Sequence, residues 1–268
     1  MKTHYLANLT WRCQNQCSYC WVNQTVKTRA ELVSVPERSL DDWARAIHRD
    51  KPDLVDLAGG EPCLFDWLPD LFTACPETLF GLSTNGLCAD VIERILAMRP
   101  KNLAGLNISY HPESVGRIAG YSQRWRDVVR AAVRAGARPR CNIVCANDNE
   151  EASREVRVWL ANIGGHYDLS PYEGTAHLGT LRAPGLRCEG GINHLTMAPD
   201  GAAWPCLTAL RSPYWRETCL GNWIDGPLDL SRKPQPCYLD CADYYILATQ
   251  HPAGEMWRTE PRPWEGAA

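Results

Sequence analysis

Three cysteines near the start of the chain have the residue type and spacing to bind a metal centre. Cys13, Cys17 and Cys20 are separated by three and then two residues, and they follow a short apolar segment. Thiolates are the usual protein ligands of iron–sulfur clusters, so three of them on one loop can hold three irons of a cubane and leave the fourth iron open. An open iron can bind a substrate or a cosubstrate. The alternatives are a structural zinc site or redox-active cysteines, although no fourth zinc ligand lies close to this loop in the sequence.

Composition restricts the class of protein. The chain has 268 residues, of which 45% are hydrophobic and 22% are charged, and these are ordinary values for a globular protein. A formal net charge of -3 gives no electrostatic reason for nucleic-acid binding. No apolar run is long enough to span a bilayer, and the first residues lack the apolar core of a signal peptide. We therefore expect a cytoplasmic protein with neither a nucleic-acid nor a membrane partner.

Thirteen cysteines are many for a chain of this kind. An odd number cannot pair completely, and a reducing compartment disfavours a disulfide framework. Metal or cluster ligation is the economical explanation for most of them.

Six segments have the composition of buried strands, and amphipathic segments with helical period lie between them. The predicted strands are His4–Thr10, Asp53–Ala58, Thr78–Thr84, Asn102–Tyr110, Arg138–Ala146 and His166–Ser170. One predicted helix begins after Ser39, two others cover Ala89–Met98 and Arg124–Ala135, and a fourth runs from Asn149 to about Asn162. This alternation predicts parallel strands joined by right-handed crossovers. The expected fold class is α/β, a partial (β/α)6 TIM-like barrel.

Polar residues collect at the ends of these predicted strands, where the active sites of such folds lie. Gly59-Gly60-Glu61-Pro62 follows the second strand, Ser83-Thr84-Asn85-Gly86 ends the third, and Asn107-Ile108-Ser109-Tyr110-His111 ends the fourth. Each segment alone can be explained as a turn. Their shared position at one rim predicts a single site there.

These motifs together resemble those of radical S-adenosylmethionine (SAM) enzymes, and the resemblance covers residues from about 4 to 245. It implies that Cys13, Cys17 and Cys20 hold a 4Fe–4S cluster whose open iron chelates the amino and carboxylate groups of SAM. An external one-electron reductant such as flavodoxin or ferredoxin would supply the electron. SAM would then be cleaved to methionine and a 5′-deoxyadenosyl radical, which would remove a hydrogen atom from an unactivated carbon.

The same resemblance assigns the SAM contacts. Gly59 and Gly60 would let the backbone approach the methionine amino group where a Cβ would clash, and Glu61 would supply a carboxylate for that ammonium. The other implied positions are Tyr19 and Val144 beside adenine, and Ser83, Asn85, Asn107 and Ser109 near the ribose or carboxylate.

A second cysteine set lies in residues 187–245. Pro199-Asp200-Gly201 predicts a hairpin that would bring Cys188 and Cys206 together, and the pair Cys237 and Cys241 could complete a four-thiolate site for a 4Fe–4S cluster or zinc. With Leu220-Gly221-Asn222, this pattern resembles the auxiliary-cluster "twitch" or short SPASM extensions of radical SAM enzymes. The resemblance implies that these four cysteines hold a second 4Fe–4S cluster.

The predicted domains are therefore a radical SAM partial barrel over 1–186, a small C-terminal β-hairpin and loop auxiliary-cluster domain over 187–245, and a tail over 246–268 that caps the barrel. Four residues are candidates for catalysis. Cys219 or Cys63 could donate a hydrogen atom to a substrate radical, and His111 and Glu173 could contact substrate or act as a base. The alternatives are packed thiols or, for Cys219, a cluster ligand, together with a rim histidine and a solvated carboxylate.

The resemblance leaves the substrate open. A short chain with one auxiliary site resembles dehydrogenases and epimerases of aminocyclitol or sugar-like natural products. The first strand begins within a few residues of Met1, which leaves no N-terminal peptide-recognition domain, so we expect a small-molecule substrate. One alternative is a maturase that modifies a ribosomally made peptide. Another, of a different class, is a non-catalytic zinc-binding or electron-carrying protein.

Overall fold

The structure, a computed structural model, describes most of the chain but not all of it. The described residues are 3–20, 22, 29–145, 150–163, 166–171, 194–211 and 215–228. Four of the residues singled out in the sequence lie outside them, namely Glu173, Cys188, Cys237 and Cys241.

Strands and helices alternate along the chain as predicted. The first six strands are β1 (His4–Thr10), β2 (Leu54–Gly59), β3 (Leu79–Thr84), β4 (Leu103–Tyr110), β5 (Arg140–Cys145) and β6 (His166–Pro171). The helices among them are α1 (Arg29–Val33), α2 (Leu40–Asp50), α3 (Leu68–Ala74), α4 (Ala89–Met98), α5 (Tyr121–Arg134) and α6 (Glu150–Asn162). All six predicted strands are present, with ends that differ from the prediction by no more than two residues. Helices α1 and α3 were not predicted, because with five and seven residues they are too short to show a helical period.

Helix α2 begins where its sequence predicts. The Ser39 side chain accepts a hydrogen bond from the Asp42 amide, and the Asp42 side chain accepts one from the Ser39 amide. This capping box satisfies two amides that the first turn leaves without an intrahelical partner. Helix α5 begins three residues earlier than predicted, because Tyr121 packs on the same buried face as Trp125 and Val128.

The chain divides into two compact units. The first unit includes the described residues within Met1–Cys13, Ser18–Pro62 and Glu173–Ile246. The second includes those within Gln14–Cys17, Cys63–Tyr172 and Leu247–Ala268.

In the first unit, β1 is a central strand of a mixed sheet. It pairs in parallel with β2 on one side and with β7 (His194–Met197) on the other. Strand β7 pairs antiparallel with β8 (Ala202–Trp204), which pairs in turn with β9 (Gly221–Asn222). The hairpin predicted around Pro-Asp-Gly is therefore confirmed, and its first strand extends the sheet that contains β1.

In the second unit, strands β3 to β6 form parallel pairs in chain order. Helix α5 contributes Trp125 to the aromatic core, where its ring packs against Tyr110 and Trp159. The Trp125 indole also donates to the Ser109 carbonyl at 3.1 Å, which ties α5 to the end of β4. None of the described helices is long and apolar enough to cross a membrane.

Candidate active site

In the first unit, the Gly59-Gly60-Glu61 turn lies directly against the end of β1. The Gly60 amide donates to the Thr10 carbonyl at 2.6 Å, and the Glu61 amide donates to the Arg12 carbonyl at 2.8 Å. A Cβ on Gly59 would lie 2.3 Å from the Thr10 carbonyl oxygen, and one on Gly60 would lie 2.1 Å from that of Arg12. No side chain fits at these distances. The two glycines are therefore required by contact between two backbone segments, and the turn fixes the start of the cysteine loop, Cys13–Cys20.

A carboxylate reinforces this part of the unit. Glu37 accepts hydrogen bonds from the Thr10 hydroxyl and from the Arg12 guanidinium, the latter at 2.9 and 2.6 Å. The hydrogen bond to Glu37 raises the pKa of Arg12 above its usual value. Glu37 thus binds the side chains of Thr10 and Arg12, whose carbonyls accept the hydrogen bonds of the turn. Nothing in the sequence pattern indicated a role for Glu37.

Glu61 follows the two glycines and is fully buried. A buried carboxylate is costly unless it meets a cation or hydrogen-bond donors. Its position suits the predicted role toward an ammonium group.

The three cysteines of the loop differ in burial. Cys17 is buried, whereas Cys13 and Cys20 are half-buried, as is Tyr19 beside them. Among the described residues, no three His, Cys, Asp or Glu side chains form a site for a single metal ion. The thiolates of a cubane bind separate irons, so they need not converge on one point. Three thiols on a loop whose start is fixed by backbone contacts are a donor set that fits a 4Fe–4S cluster.

In the second unit, residues Gln14–Cys17 are held by side chains. Asn85 donates from its amide to Gln14 Oε1 at 3.1 Å, and Gln14 donates to Cys88 Sγ at 3.0 Å. Asn85 Oδ1 accepts from the Leu87 amide at 2.9 Å, which fixes the turn after β3. Asn85, predicted as a SAM contact, therefore also braces the middle of the cysteine loop.

The predicted SAM contacts on β3 and β4 lie next to each other. Ser83 and Asn107 are paired in register, and the Asn107 amide donates to Ser83 Oγ at 3.3 Å. Ser109 pairs with Asn142 on β5, where Val144 is half-buried two residues further on. The structure thus brings Ser83 and Asn107 into direct contact, whereas Ser109 and Val144 lie on neighbouring strands.

His111 follows β4 directly. Its backbone amide donates to the Tyr121 hydroxyl at 2.7 Å. Burial, together with the charge of Arg117, lowers the pKa of His111 to about 4. The imidazole is therefore neutral near pH 7 and has a ring nitrogen that can accept a proton.

In the first unit, the described cysteines of the second set, Cys206 and Cys219, lie beside the third cysteine of the loop. Cys20 and Cys219 both pack against one group of buried side chains, here called the Trp11 cluster, which itself contains Cys206. The buried members of this cluster are Trp11, Val22, Leu32, Ala198, Trp204, Cys206, Ala209 and Leu210.

Local hydrogen bonds fix the two cysteines that follow the hairpin. Cys206 precedes the short helix α7 (Leu207–Arg211), and its sulfur accepts from the Ala209 amide at 3.4 Å. The Cys219 thiol donates to the Gly221 carbonyl at 3.7 Å. Ala203 pairs antiparallel with Gly221. Two residues before Gly221 is Cys219, which therefore lies opposite the residue two positions after Ala203, the one that precedes Cys206.

Three further cysteines, Cys63, Cys75 and Cys141, are buried. Burial raises the pKa of Cys75 to about 11 and that of Cys141 to about 12, so these two thiols are neutral near pH 7. Cys63 lies in a 3-10 turn over Pro62–Leu64, and its catalytic role stays a prediction.

Comparisons with known proteins agree with this architecture. The profile of the Radical SAM superfamily matches residues 8–149. Native anSMEcpe with bound AdoMet is 13% identical, with a TM-score of 0.61 over 87% of this chain and 81% of that chain. The same protein with AdoMet and a Cp18Cys peptide is also 13% identical, with a TM-score of 0.58 over 87% and 80%. BtrN in complex with AdoMet and 2-DOIA is 15% identical, with a TM-score of 0.49 over 84% and 79%.

The similarity to anSMEcpe confirms the α/β, partial-barrel fold class. The profile match covers β1 to β5 and includes the cysteine loop, the Gly-Gly-Glu-Pro turn and the polar ends of β3 and β4. With these residues on the strands and turns described above, the chain belongs to the Radical SAM superfamily.

Proposed function

We propose that the protein reductively cleaves SAM and uses the resulting 5′-deoxyadenosyl radical to remove a hydrogen atom from a small molecule of aminocyclitol or sugar-like type. The product would be a dehydrogenated or epimerised natural product. Membership of the superfamily implies an enzyme with a 4Fe–4S cluster and SAM. The proposal goes beyond membership of the superfamily in two respects, the substrate class and the auxiliary 4Fe–4S cluster.

Roles follow for the residues of the chain. Cys13, Cys17 and Cys20 would ligate the SAM-binding cluster, and Glu61 would accept from the methionine ammonium group. Ser83 and Asn107, already hydrogen-bonded to each other, would present one amide and one hydroxyl to the ribose or carboxylate. His111, a neutral imidazole near pH 7, would contact the substrate.

The observation that carries this proposal is the Trp11 cluster. Cys20, Cys206 and Cys219 all contact it, so within one unit a ligand of the predicted first cluster shares its apolar surroundings with two cysteines of the second set. Apolar packing excludes water and so limits competing proton transfer. A redox partner or hydrogen donor beside the first cluster is what dehydrogenation and epimerisation both require.

The two reactions use the second set differently. In dehydrogenation, the substrate radical would lose a proton from its hydroxyl and one electron to the auxiliary cluster. The carbinol carbon of the substrate would thereby become a carbonyl. In epimerisation, Cys219 Sγ–H gives a hydrogen atom to the opposite face, and the thiyl radical left behind must be reduced by one electron and one proton.

A peptide substrate is the second candidate. It is supported by the similarity to anSMEcpe, which binds a Cp18Cys peptide in a structure with the same fold. The third interpretation, a non-catalytic zinc or electron-transfer protein, does not agree with membership of a superfamily of enzymes.

Anaerobic reconstitution tests the core of the proposal. Wild-type protein loaded with iron and sulfide should bind about eight irons per chain, and Cys13→Ala should bind about four. Reduced wild-type protein with SAM should release 5′-deoxyadenosine, and Cys13→Ala should not. About four irons in the wild type would remove the auxiliary cluster from the proposal, and no 5′-deoxyadenosine would remove SAM cleavage.

Turnover in D2O separates the two reactions. Reduced, reconstituted enzyme would be incubated with SAM and a panel of aminocyclitols, and products analysed by mass. An epimerase adds one deuterium, because the thiol proton exchanges with solvent, whereas a dehydrogenase product is two mass units lighter than its substrate. Cys219→Ala should abolish epimer formation while 5′-deoxyadenosine is still released, and Cys75→Ala serves as the matched loss of a buried thiol. Modification of a peptide and of no aminocyclitol would favour the second candidate.

A further inference from the structure

Arg117 lies across the middle of the cysteine loop. Its Nη2 donates to the Asn15 carbonyl at 2.8 Å, and its Nη1 donates to the Gln16 carbonyl at 3.3 Å. Both carbonyls belong to the three residues between Cys13 and Cys17. One guanidinium therefore holds two successive peptide groups of the segment that sets the spacing of two predicted cluster ligands.

The other side of the guanidinium is anchored to the chain that follows β4. Nε donates to the Glu113 carbonyl at 2.9 Å, and Nη1 lies 3.9 Å from the Glu113 carboxylate. Glu113 belongs to a 3-10 turn over Pro112–Ser114, which is fixed by backbone hydrogen bonds from Ser114 and Val115. Arg117 thus connects the cysteine loop to a turn that is itself fixed by hydrogen bonds.

The loop needs such support at one residue in particular. Gln16 has a φ of +47°, in the left-handed region that side chains other than glycine disfavour. The carbonyl of this residue is one of the two that Arg117 binds. Without that hydrogen bond, a glutamine would favour another backbone conformation and carry Cys17 with it.

We propose that Arg117 is a positioning residue that holds Gln16 in its left-handed conformation, so that the next cysteine, Cys17, is set to receive the cluster before iron binds. This inference rests on the proposed function of the loop as a cluster ligand. Arginine suits the task because its planar fork reaches two acceptors at once, whereas the ammonium of lysine is a point charge.

Replacement of Arg117 and relief of the strained residue should have opposite effects on iron retention. The reconstituted wild type, Arg117→Ala, Arg117→Lys, Gln16→Gly and the double variant Arg117→Ala/Gln16→Gly would be treated with a chelator, and iron loss followed by absorbance. We expect Arg117→Ala to lose iron about tenfold faster than the wild type, since charge-assisted hydrogen bonds to the loop are removed. Arg117→Lys should fall between them. Gln16→Gly should restore most of the retention to Arg117→Ala, because glycine adopts the left-handed conformation without a clamp.

Arg94→Ala is the matched control. Arg94 is also a surface arginine of the second unit that donates to a backbone carbonyl, that of Asp66 at 2.8 Å, but Asp66 is not part of the cysteine loop. It should lose iron at the wild-type rate. The electron paramagnetic resonance spectrum of the reduced cluster gives a second readout, and it should broaden in Arg117→Ala and sharpen again in the double variant.

Two results would overturn the inference: wild-type iron retention in Arg117→Ala, or failure of Gln16→Gly to slow iron loss from Arg117→Ala. If the alanine variant does not fold, Arg117→Lys and the double variant carry the same comparison. A wild-type chain that binds no iron would instead refute the proposed function, and the inference with it. The two failures are therefore distinguishable.

Discussion

The two sides of the cysteine loop are held in place by different means. On the side of the first unit, the end of β1 is fixed by backbone amides of the Gly59-Gly60-Glu61 turn, at contacts so close that no Cβ fits. On the side of the second unit, Gln14 and the two residues after it are fixed by the side chains of Asn85 and Arg117, which lie 71 and 102 residues further along the chain. A contact between backbones requires particular residue types and leaves a motif. A contact made by side chains from far along the chain leaves none.

Substitution of Gly60 should have the largest effect. Gly60→Ala would place a Cβ 2.1 Å from the Arg12 carbonyl oxygen, a backbone atom that cannot turn aside. We expect the Tm of the iron-free protein to fall by about 10 °C and iron binding to be lost. Gly226→Ala is the control, because nothing lies within 4 Å of a Cβ there. Equal Tm values for the two variants would show that the close backbone contact does not hold the loop.

Removal of Glu37 should have a smaller effect and would test whether the backbone side of the loop also depends on a side chain. Glu37→Ala releases the Thr10 hydroxyl and the Arg12 guanidinium. We expect the Tm to fall by about 3 °C and iron loss to chelator to accelerate about threefold. Asp225→Ala breaks another ion pair of the same unit, that with Arg38, and should change the Tm by less than about 1 °C. A Glu37→Ala variant as stable as Asp225→Ala would leave the glycine turn as the sole support.

The Gln14–Asn85 pair should give a smaller effect still, and it tests the side-chain side. In a double-mutant cycle of alanine variants, the free energies of unfolding of the iron-free protein should differ from additivity by about 1 kcal/mol, as for one hydrogen bond. Asn85→Ala alone should cost more than Gln14→Ala, since Asn85 also accepts from the Leu87 amide. The pair Gln14→Ala and Arg94→Ala shares no hydrogen-bond partner and should be additive. Additivity in both cycles would mean that Asn85 does not brace the loop.

The smallest expected effect is tested without a mutation. The test compares the reactivity of the loop thiols with that of the buried thiols. Burial raises the pKa of Cys75 to about 11 and that of Cys141 to about 12, so both stay protonated at about pH 8.5, where an ordinary thiol is half ionised. In iron-free protein, iodoacetamide should modify Cys13 and Cys20 and leave Cys75 and Cys141 unmodified until denaturant is added. Peptide mass mapping reads out each site. Modification of Cys141 in the folded protein would show that its strand opens.

Sequence alone gave most of the fold for a physical reason. Buried strands carry dense apolar runs, and the capping box at Ser39 and the Pro-Asp-Gly turn are local signals that need only a few neighbouring residues. The same locality explains the failures. Helices α1 and α3 are too short to show a period. The glycines of Gly-Gly-Glu-Pro were expected to make room for a ligand, whereas the structure shows that each also makes room for the backbone at the end of β1.

For the site, the sequence located the residues of the motifs but not those that hold them. Glu37 binds Thr10 and Arg12 before the cysteine loop, Arg117 binds the loop itself, and neither residue belongs to a recognisable sequence pattern. The pKa of His111 could not be anticipated either, because it depends on burial and on Arg117. Positive φ at Gln16 is a further example, since glutamine gives no sign of a left-handed turn.

The parallel pairing of β1 with β7 has a consequence for how the protein is made. Strand β1 is synthesised before either of its two partners, and one of them includes Met197, whose carbonyl accepts from the Asn8 side-chain amide 189 residues away. Until that partner is synthesised, one edge of β1 presents unpaired amides and carbonyls that can pair with another chain. At ordinary rates of translation, the wait is about 10 to 40 seconds. The hairpin that carries Cys206 therefore also covers an aggregation-prone edge, and synthesis halted before residue 194 should yield nascent chains that need chaperones to stay soluble.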